Sequence, residues 1–515
     1  MINENFSSTS KFRSLKPNLI ENIKILNKNN NNNNNKNNVP SSLSSLLTNP
    51  DNKQKPSFWI EGYGCSASFA DMEMIAGQLR NNGFDIANNS DVANINLIVT
   101  CSVKDTTEHK MAHRIKNLSK NNKPIVVAGC LPSADQKLVE KINPNASLMG
   151  PNSIDKTVEI VNSALNGQKI VSLQNSEIEK INLPRFRINP TISIVEIASG
   201  CLSECSFCQT KLAKGDLQSY RIGKIINQIK QDLKEGTQEI WLTSTDNGCY
   251  GIDIGTNIVE LLRRCDEIEE DYKIRVGMMN PMYLKGMVRD LINIYSKSNK
   301  IFKFIHIPVQ SGSERVLRKM KRGHTVKTFY EIVRQFREKM PDMTIATDII
   351  TGFPEETDED FELTLKTIKE TEPDIINSSK FCPRPGTSAS KMKRIAQETV
   401  TERSKKLHSI MKHIAKKRNS RWLEWEGQVL IDEIDMGRLK GRNQYYKSIV
   451  IKNPIENTIT KTNVKNYNKE RFSELHGDLR LMNLKNGNNK LPLGKTIRVR
   501  IIGYSTHSLE GIQII

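Results

Sequence analysis

The chain has 515 residues, 37% of them hydrophobic, and a formal net charge of +19. That length suits two to four domains with real cores. No apolar run reaches the roughly 18 residues of a membrane span, so no membrane anchor is expected. The polar start argues against a secretory signal, although Met1 to Lys55 is Ser- and Asn-rich and poor in acids, a weak presequence character. A cytoplasmic, reducing location follows, in which nine cysteines point to metal or catalysis rather than disulfides. The basic excess suits a polyanionic partner such as nucleic acid. From Met411 to Ile515 there are 20 Lys+Arg against 10 Asp+Glu, so about half of the excess sits in the last fifth.

Residues 1–55 carry the tract "NKNNNNNNNKNN" and cannot bury enough apolar surface to offset ordering entropy, so disorder is expected there. A first α/β domain, 56–170, follows. "FWIEGYGC", "INLIVTC" and "PIVVAGC" read as strands ending at Cys65, Cys101 and Cys130, each followed by a helical pattern. Alternation of this kind implies a Rossmann-like parallel sheet with helices on both faces. In such a sheet the strand ends line one crevice, so three cysteines distant in sequence converge.

After a polar linker the alternation resumes over 185–422. Six strands are expected: "TISIVEIA", "EIWLTS", "KIRVGM", "FKFIHIPV", "MTIATDII" and "IINSSKF". Six βα units suit a partial (β/α)6 barrel open on one side, with its chemistry at the C-terminal strand ends. A basic helix, roughly Val400 to Trp422, precedes a domain at 423–515 of period two, read as a small β-barrel with a surface insertion at about 452–490.

"SGCLSECSFCQT" places Cys201, Cys205 and Cys208 just after the first barrel strand. A structural zinc site would want four ligands, and no fourth Cys or His is near. A four-iron cluster held by three thiolates keeps one iron open for a small chelating molecule. Cys65, Cys101 and Cys130 repeat the pattern. One such cysteine alone would be core packing, but three at successive strand ends suit a second cluster.

CxxxCxxC in this position resembles the radical S-adenosylmethionine (SAM) enzymes. With the three-cysteine N-terminal domain and a small basic β-barrel like the TRAM RNA-binding module, the chain resembles the methylthiotransferases. "YGCSASFADMEMIAGQL", "VTCSVK", "VAGCLP", "HIPVQSGSERVLRKMKRGHT", "TDIITGFPEETDEDF" and "FCPRPGTSASKM" carry the likeness over nearly all of 57–515. "QTKLAKGDLQSY", "EIWLTSTDNGCYGIDIGTN" and "RVGMMNP" resemble the archaeal and eukaryotic branch acting on N6-threonylcarbamoyladenosine at tRNA position 37. Sister branches take isopentenyladenosine or a ribosomal-protein aspartate. A non-catalytic tRNA-binding protein is the rival from another class.

The resemblance implies two 4Fe-4S clusters, the radical-generating one on Cys201, Cys205 and Cys208 and an auxiliary one on Cys65, Cys101 and Cys130. It also implies two molecules of SAM as methyl and radical sources, the anticodon loop of tRNA as substrate, and an electron donor such as a flavodoxin-like or diflavin reductase. Some eukaryotic members of this branch end in a membrane-anchoring tail, whereas this sequence closes on "GIQII", and a soluble protein is expected. Ser244, Asp246, Gln310, Ser311 and Asp348 end strands and are candidate cofactor contacts. His306, inside a strand, reads as a packed core histidine. Arg438, Lys440, Arg442, Tyr445, Tyr446 and Lys447 are candidate RNA contacts, with basic groups for phosphates and aromatics for stacking. The sequence departs from the family by lacking the Asn usual two or three residues before Asp71, and by carrying Glu355 where Gly is customary.

Overall fold

A computed structural model describes residues 55–102, 105–174, 179–435, 438–452 and 493–514. The Asn-rich segment and most of the expected insertion lie outside the described residues. The N-terminal unit is a six-stranded sheet, paired in parallel throughout, in the order β2-β1-β3-β4-β5-β6. Its strands are β1 (Ser57–Gly62), β2 (Asp85–Ile86), β3 (Ile95–Thr100), β4 (Ile125–Gly129), β5 (Ser147–Met149) and β6 (Val171–Ser172). β3 and β4 are buried along their whole length and carry the apolar runs Leu97–Val99 and Ile125–Ala128, because both faces are covered. Helices α1 (Ser66–Asn81), α2 (Asp105–Leu118), the short α3 (Cys130–Ala134), α4 (Gln136–Ile142) and α5 (Thr157–Leu165) flank them. Two separate cores result. Leu97 and Val99 face Met72, Ile75 and Ile160, while Ile98 and Val127 face Met111, Ile115 and Val139.

The second unit holds six parallel strands in sequence order: β7 (Ile192–Glu196), β10 (Glu239–Thr243), β11 (Lys273–Val276), β12 (Phe304–His306), β13 (Thr344–Thr351) and β14 (Ile375–Lys380). One bridge, Ile274 to Ile301, joins its two halves. A small hairpin, β8 (Ala198–Ser199) with β9 (Gln218–Ser219), encloses the cysteine loop. Outward residues such as Val195, Leu242, Ile305 and Ile349 share one core with the surrounding helices. Those helices include α6 (Thr210–Lys214), α7 (Ile222–Lys234), α8 (Ile258–Asp266), α9 (Pro281–Leu284), α10 (Val288–Lys297), α11 (Glu314–Lys319), α12 (Val326–Lys339), α13 (Asp358–Thr371) and α14 (Gln397–Ser420).

The two units are joined through the open edge of the partial barrel. Ile192 and Ile194 of β7, with Trp241, belong to the same apolar cluster as Phe69 of α1. Gly77 of α1 lies so close to the linker that an added Cβ would sit 2.4 Å from the Pro184 carbonyl oxygen.

The C-terminal unit is a closed barrel, β15-β16-β17-β19-β18, built from β15 (Glu426–Asp435), β16 (Arg438–Asn443), β17 (Ser448–Ile451), β18 (Thr496–Tyr504) and β19 (Leu509–Gln513). It docks at the N-terminal ends of the (β/α)6 strands, opposite the mouth. There the Lys303 amide donates to the Gln444 carbonyl at 2.8 Å, and Asn189 Nδ2 donates to the Asp432 carbonyl at 2.8 Å.

Candidate active site

The cysteine loop is shaped by local backbone. Gly200 has φ +70°, and a Cβ there would lie 1.8 Å from the Asp216 carbonyl oxygen, so only glycine lets the loop fold back on the hairpin. Cys201 is buried, and Cys205 and Cys208 are half-buried. Each sulfur has a polar neighbour. The Ser203 amide donates to Cys201 Sγ at 3.4 Å, Arg322 Nη1 donates to Cys205 Sγ at 3.2 Å, and the Thr210 amide donates to Cys208 Sγ at 3.4 Å. Donors of this kind suit thiolate ligands.

Local spacing, with Cys249 more than 40 residues beyond Cys208, offers no reason to place it here. It is fully buried, its thiol donates to the Asp246 carbonyl at 3.2 Å, and it lies against Cys201. The Cys249 thiol, ahead of the Ser203 amide, brings the Cys201 thiol down to about 7, while burial pushes Cys205 up.

The second trio converges at the C-terminal ends of β1, β3 and β4, which are adjacent in the sheet. Cys65 caps α1, Cys101 follows β3, and Cys130 opens α3. Two glycines make the cradle. A Cβ on Gly64 would lie 2.3 Å from Cys101 Cβ, and one on Gly129 would lie 2.4 Å from the Thr100 carbonyl oxygen. Cys65 is held well below the usual thiol range by the adjacent Cys101 side chain and by Lys214, while burial pushes Cys130 up to about 12.

Among the described residues no three His, Cys, Asp or Glu side chains close around a single ion. A cube of four irons spreads its ligands over its corners, and both trios, with their donors and cradles, fit that group.

Lys214 ends α6 and carries the two sites into one frame. Its Nζ is 3.0 Å from Glu196 Oε1, and its charge acts on Cys65 and Cys130. Glu196 also meets Lys180 at 3.0 Å, and Lys180 meets Asp71 of α1 at 2.8 Å, all buried. Burial opposes ionisation of Glu196, but Lys180 and Lys214 hold its carboxyl at about 2. Ser66, next to Cys65, meets Thr243 at the end of β10, hydroxyl to hydroxyl at 2.7 Å.

The other strand-end candidates divide. Asp246 accepts from the Gly248 and Asn280 amides at 2.9 and 3.0 Å, Ser244 donates to Asn247 at 2.9 Å, and Ser311 lies fully buried against Thr364. These three order the backbone around the mouth. Gln310 is held at φ +71° with its side-chain Oε1 unpartnered. Asp348 accepts from His306 Nε2 at 3.0 Å and from Asn377 Nδ2 at 2.9 Å. His306 is therefore not a packed core histidine. Strand alternation turns it away from the outer core, into the barrel interior with Asp348.

The six basic and aromatic residues of the small barrel are not presented as one open patch. Tyr446 is buried, with its ring centroid 4.9 Å from those of both Phe302 and Phe304, and the Arg442 guanidinium lies 4.5 Å over it. Lys447 is buried on Asp374 at 2.9 Å. Lys440 pairs with Asp435, and Tyr445 is half-buried against Trp422. Only Arg438 of the six is exposed. Local sequence showed charges beside aromatics, but Tyr446 and Lys447 find their partners, Phe302, Phe304 and Asp374, far away in the (β/α)6 unit.

The Radical SAM superfamily signature matches residues 195–368, and that of Uncharacterized protein family UPF0004 matches 57–150. A three-cysteine loop at the mouth of a partial (β/α)6 barrel thus makes this a radical SAM enzyme. The probable threonylcarbamoyladenosine tRNA methylthiotransferase of Pyrococcus abyssi is 40% identical over 398 residues, covering 76% of this chain and 93% of its own length. The human threonylcarbamoyladenosine tRNA methylthiotransferase is 38% identical over 407 residues, covering 77% and 69%. A solved radical SAM methyltransferase, TsrM from Kitasatospora setae, aligns over 65% of this chain and 75% of its own, with 12% identity and a TM-score of 0.48. The chain belongs to the threonylcarbamoyladenosine tRNA methylthiotransferases. Among the described residues no helix is long and apolar enough to cross a membrane.

Proposed function

We propose that this chain converts N6-threonylcarbamoyladenosine at position 37 of tRNA to its 2-methylthio derivative. The observation that carries the reading is the meeting of two three-cysteine sites across α3 and α6, with Lys214 between them. Carbon 2 of adenine has neither an acidic proton nor a leaving group, so acid–base chemistry alone does not reach it. Two 4Fe-4S clusters and SAM supply the one-electron, sulfur and methyl chemistry when bound. Cys201, Cys205 and Cys208 hold the radical-generating cluster, and Cys65, Cys101 and Cys130 hold the auxiliary one.

The rest of the work is positioning. The Ser203, Thr210 and Arg322 donors stabilise thiolate character. The Lys180–Glu196–Lys214 network fixes the two mouths against each other, so that a base between them meets both. His306, Asp348 and Asn377 line the interior, where they orient a bound ligand. Arg438 is the member of the small barrel's basic set placed to meet RNA phosphate. Nine cysteines, none in a disulfide among the described residues, suit a reducing compartment, and we place the protein in the cytoplasm.

The test is an anaerobic reaction of the reconstituted protein with two tRNAs, one bearing threonylcarbamoyladenosine and one isopentenyladenosine. Methylthiolation of the first alone supports the reading. Modification of the second alone moves the substrate to the sister branch.

A further inference from the structure

Beside the radical cluster loop lies an open cavity of about 490 Å³. It is walled by the helical ring and its connections: Lys285 after α9, Arg318 on α11, and Lys321, Arg322 and His324 between α11 and α12. Lys285, Arg318 and Lys321 are exposed, and among the described residues none of the three is in an ion pair. Glu314 is the one carboxylate in the wall, and it is committed to the Val326 amide at 2.8 Å.

The floor is unusual. Arg322 and His324 are 5% and 8% exposed, yet Arg322 Nε and His324 Nε2 have no partner. Arg322 is also joined to the cluster loop, through Nη1 to Cys205 Sγ at 3.2 Å, and through Nη2 to the Pro308 carbonyl at 3.0 Å. The cavity is thus cationic, incompletely satisfied, and one side chain away from a cluster ligand.

We propose that this cavity is the docking site of an acidic, flavin-bearing electron-donor protein, a role that rests on reading Cys201, Cys205 and Cys208 as the radical-cluster ligands. The reacting base belongs between the two cysteine sites, and the cavity wall includes none of the auxiliary cysteines or of the strand-end residues Ser244, Asp246, Gln310, Ser311 and Asp348. A partner here reaches the cluster loop through Arg322 without contacting the auxiliary cysteines. Complementary charge speeds encounter and fixes orientation. One electron leaves the reduced flavin and reduces the cluster by one. No bond is made or broken in that step.

The test uses the reconstituted holoenzyme and the charge-reversed variant K285E/R318E/K321E. SAM cleavage to 5′-deoxyadenosine is measured with dithionite and, separately, with reduced flavodoxin, alongside tRNA affinity. The expected result is a loss of about ten-fold or more with flavodoxin, with dithionite-driven cleavage and tRNA affinity unchanged. The single variant K321E, also expected to lose flavodoxin-driven cleavage, covers any misfolding of the triple variant. Equal rates with flavodoxin for wild type and both variants would overturn the proposal. So would lost tRNA affinity with intact flavodoxin-driven cleavage, which would assign the cavity to an RNA backbone instead. Absence of dithionite-driven cleavage in the wild type would sink the radical-cluster reading itself, a separate outcome.

Discussion

Lys214 Nζ lies 3.0 Å from Glu196 Oε1, and both side chains are shut away from solvent at the joint between the two cysteine sites. Removing one partner of such a pair leaves an uncompensated buried charge. Lys214→Met therefore destabilises the protein by about 3 kcal/mol, read by urea denaturation of the apo form. Iron bound through the auxiliary trio falls with it, because Lys214 favours the thiolate of Cys65. Lys214→Arg keeps the charge and restores most of the iron.

The two trios separate by function. Cys201→Ala abolishes 5′-deoxyadenosine formation. Cys101→Ala leaves uncoupled cleavage of SAM but yields no methylthio product. Full modification activity in Cys101→Ala would remove the auxiliary cluster from the account.

Glu73 of α1 is buried, accepts from the Ile188 amide at 3.0 Å and leaves its other oxygen unpartnered. Burial pushes its pKa to about 7, from 4.5. Between those values the unfolded chain has lost the proton that the folded chain keeps. This group's contribution to stability is therefore intact below about 4.5 and lost as pH rises through about 7. Glu73→Gln flattens that part of the profile, checked by denaturation midpoints across the window.

Glu355 stands at φ +60°, a region that costs a side-chain-bearing residue energy and a glycine almost none. Its exposed ion pair with Lys319 offsets little. Glu355→Gly raises the thermal midpoint with cleavage activity unchanged. A lowered midpoint would show that the Lys319 contact outweighs the backbone.

The small barrel's buried interface and the proposed RNA contact at Arg438 are separable. Lys447→Met strips Asp374 of one of its buried cations and costs about 3 kcal/mol, seen in denaturation. Arg438→Ala leaves stability unchanged, but lowers the salt dependence of tRNA binding by about one phosphate contact.

Much of this was open to inspection in the sequence because the signals are local. Apolar runs marked the strands of both parallel sheets, and a cysteine at the end of a parallel strand has one place to go. The resemblance carried the reaction class. What stayed hidden depends on tertiary contact. Cys249 follows the second barrel strand, and only the fold lays it on Cys201. Arg322 meets Cys205 across an outer helix, and Lys214 meets Glu196 across the domain joint. The misread patch has the same origin, since Tyr446 and Lys447 look like surface residues until Phe304 and Asp374 are brought against them.

The most direct test of the central claim is mass spectrometry of tRNA nucleosides from cells with and without this gene. The account predicts that loss of the gene removes 2-methylthio-N6-threonylcarbamoyladenosine and leaves the unthiolated parent to accumulate. An unchanged level of that nucleoside, or loss of the isopentenyl analogue in its place, would contradict it.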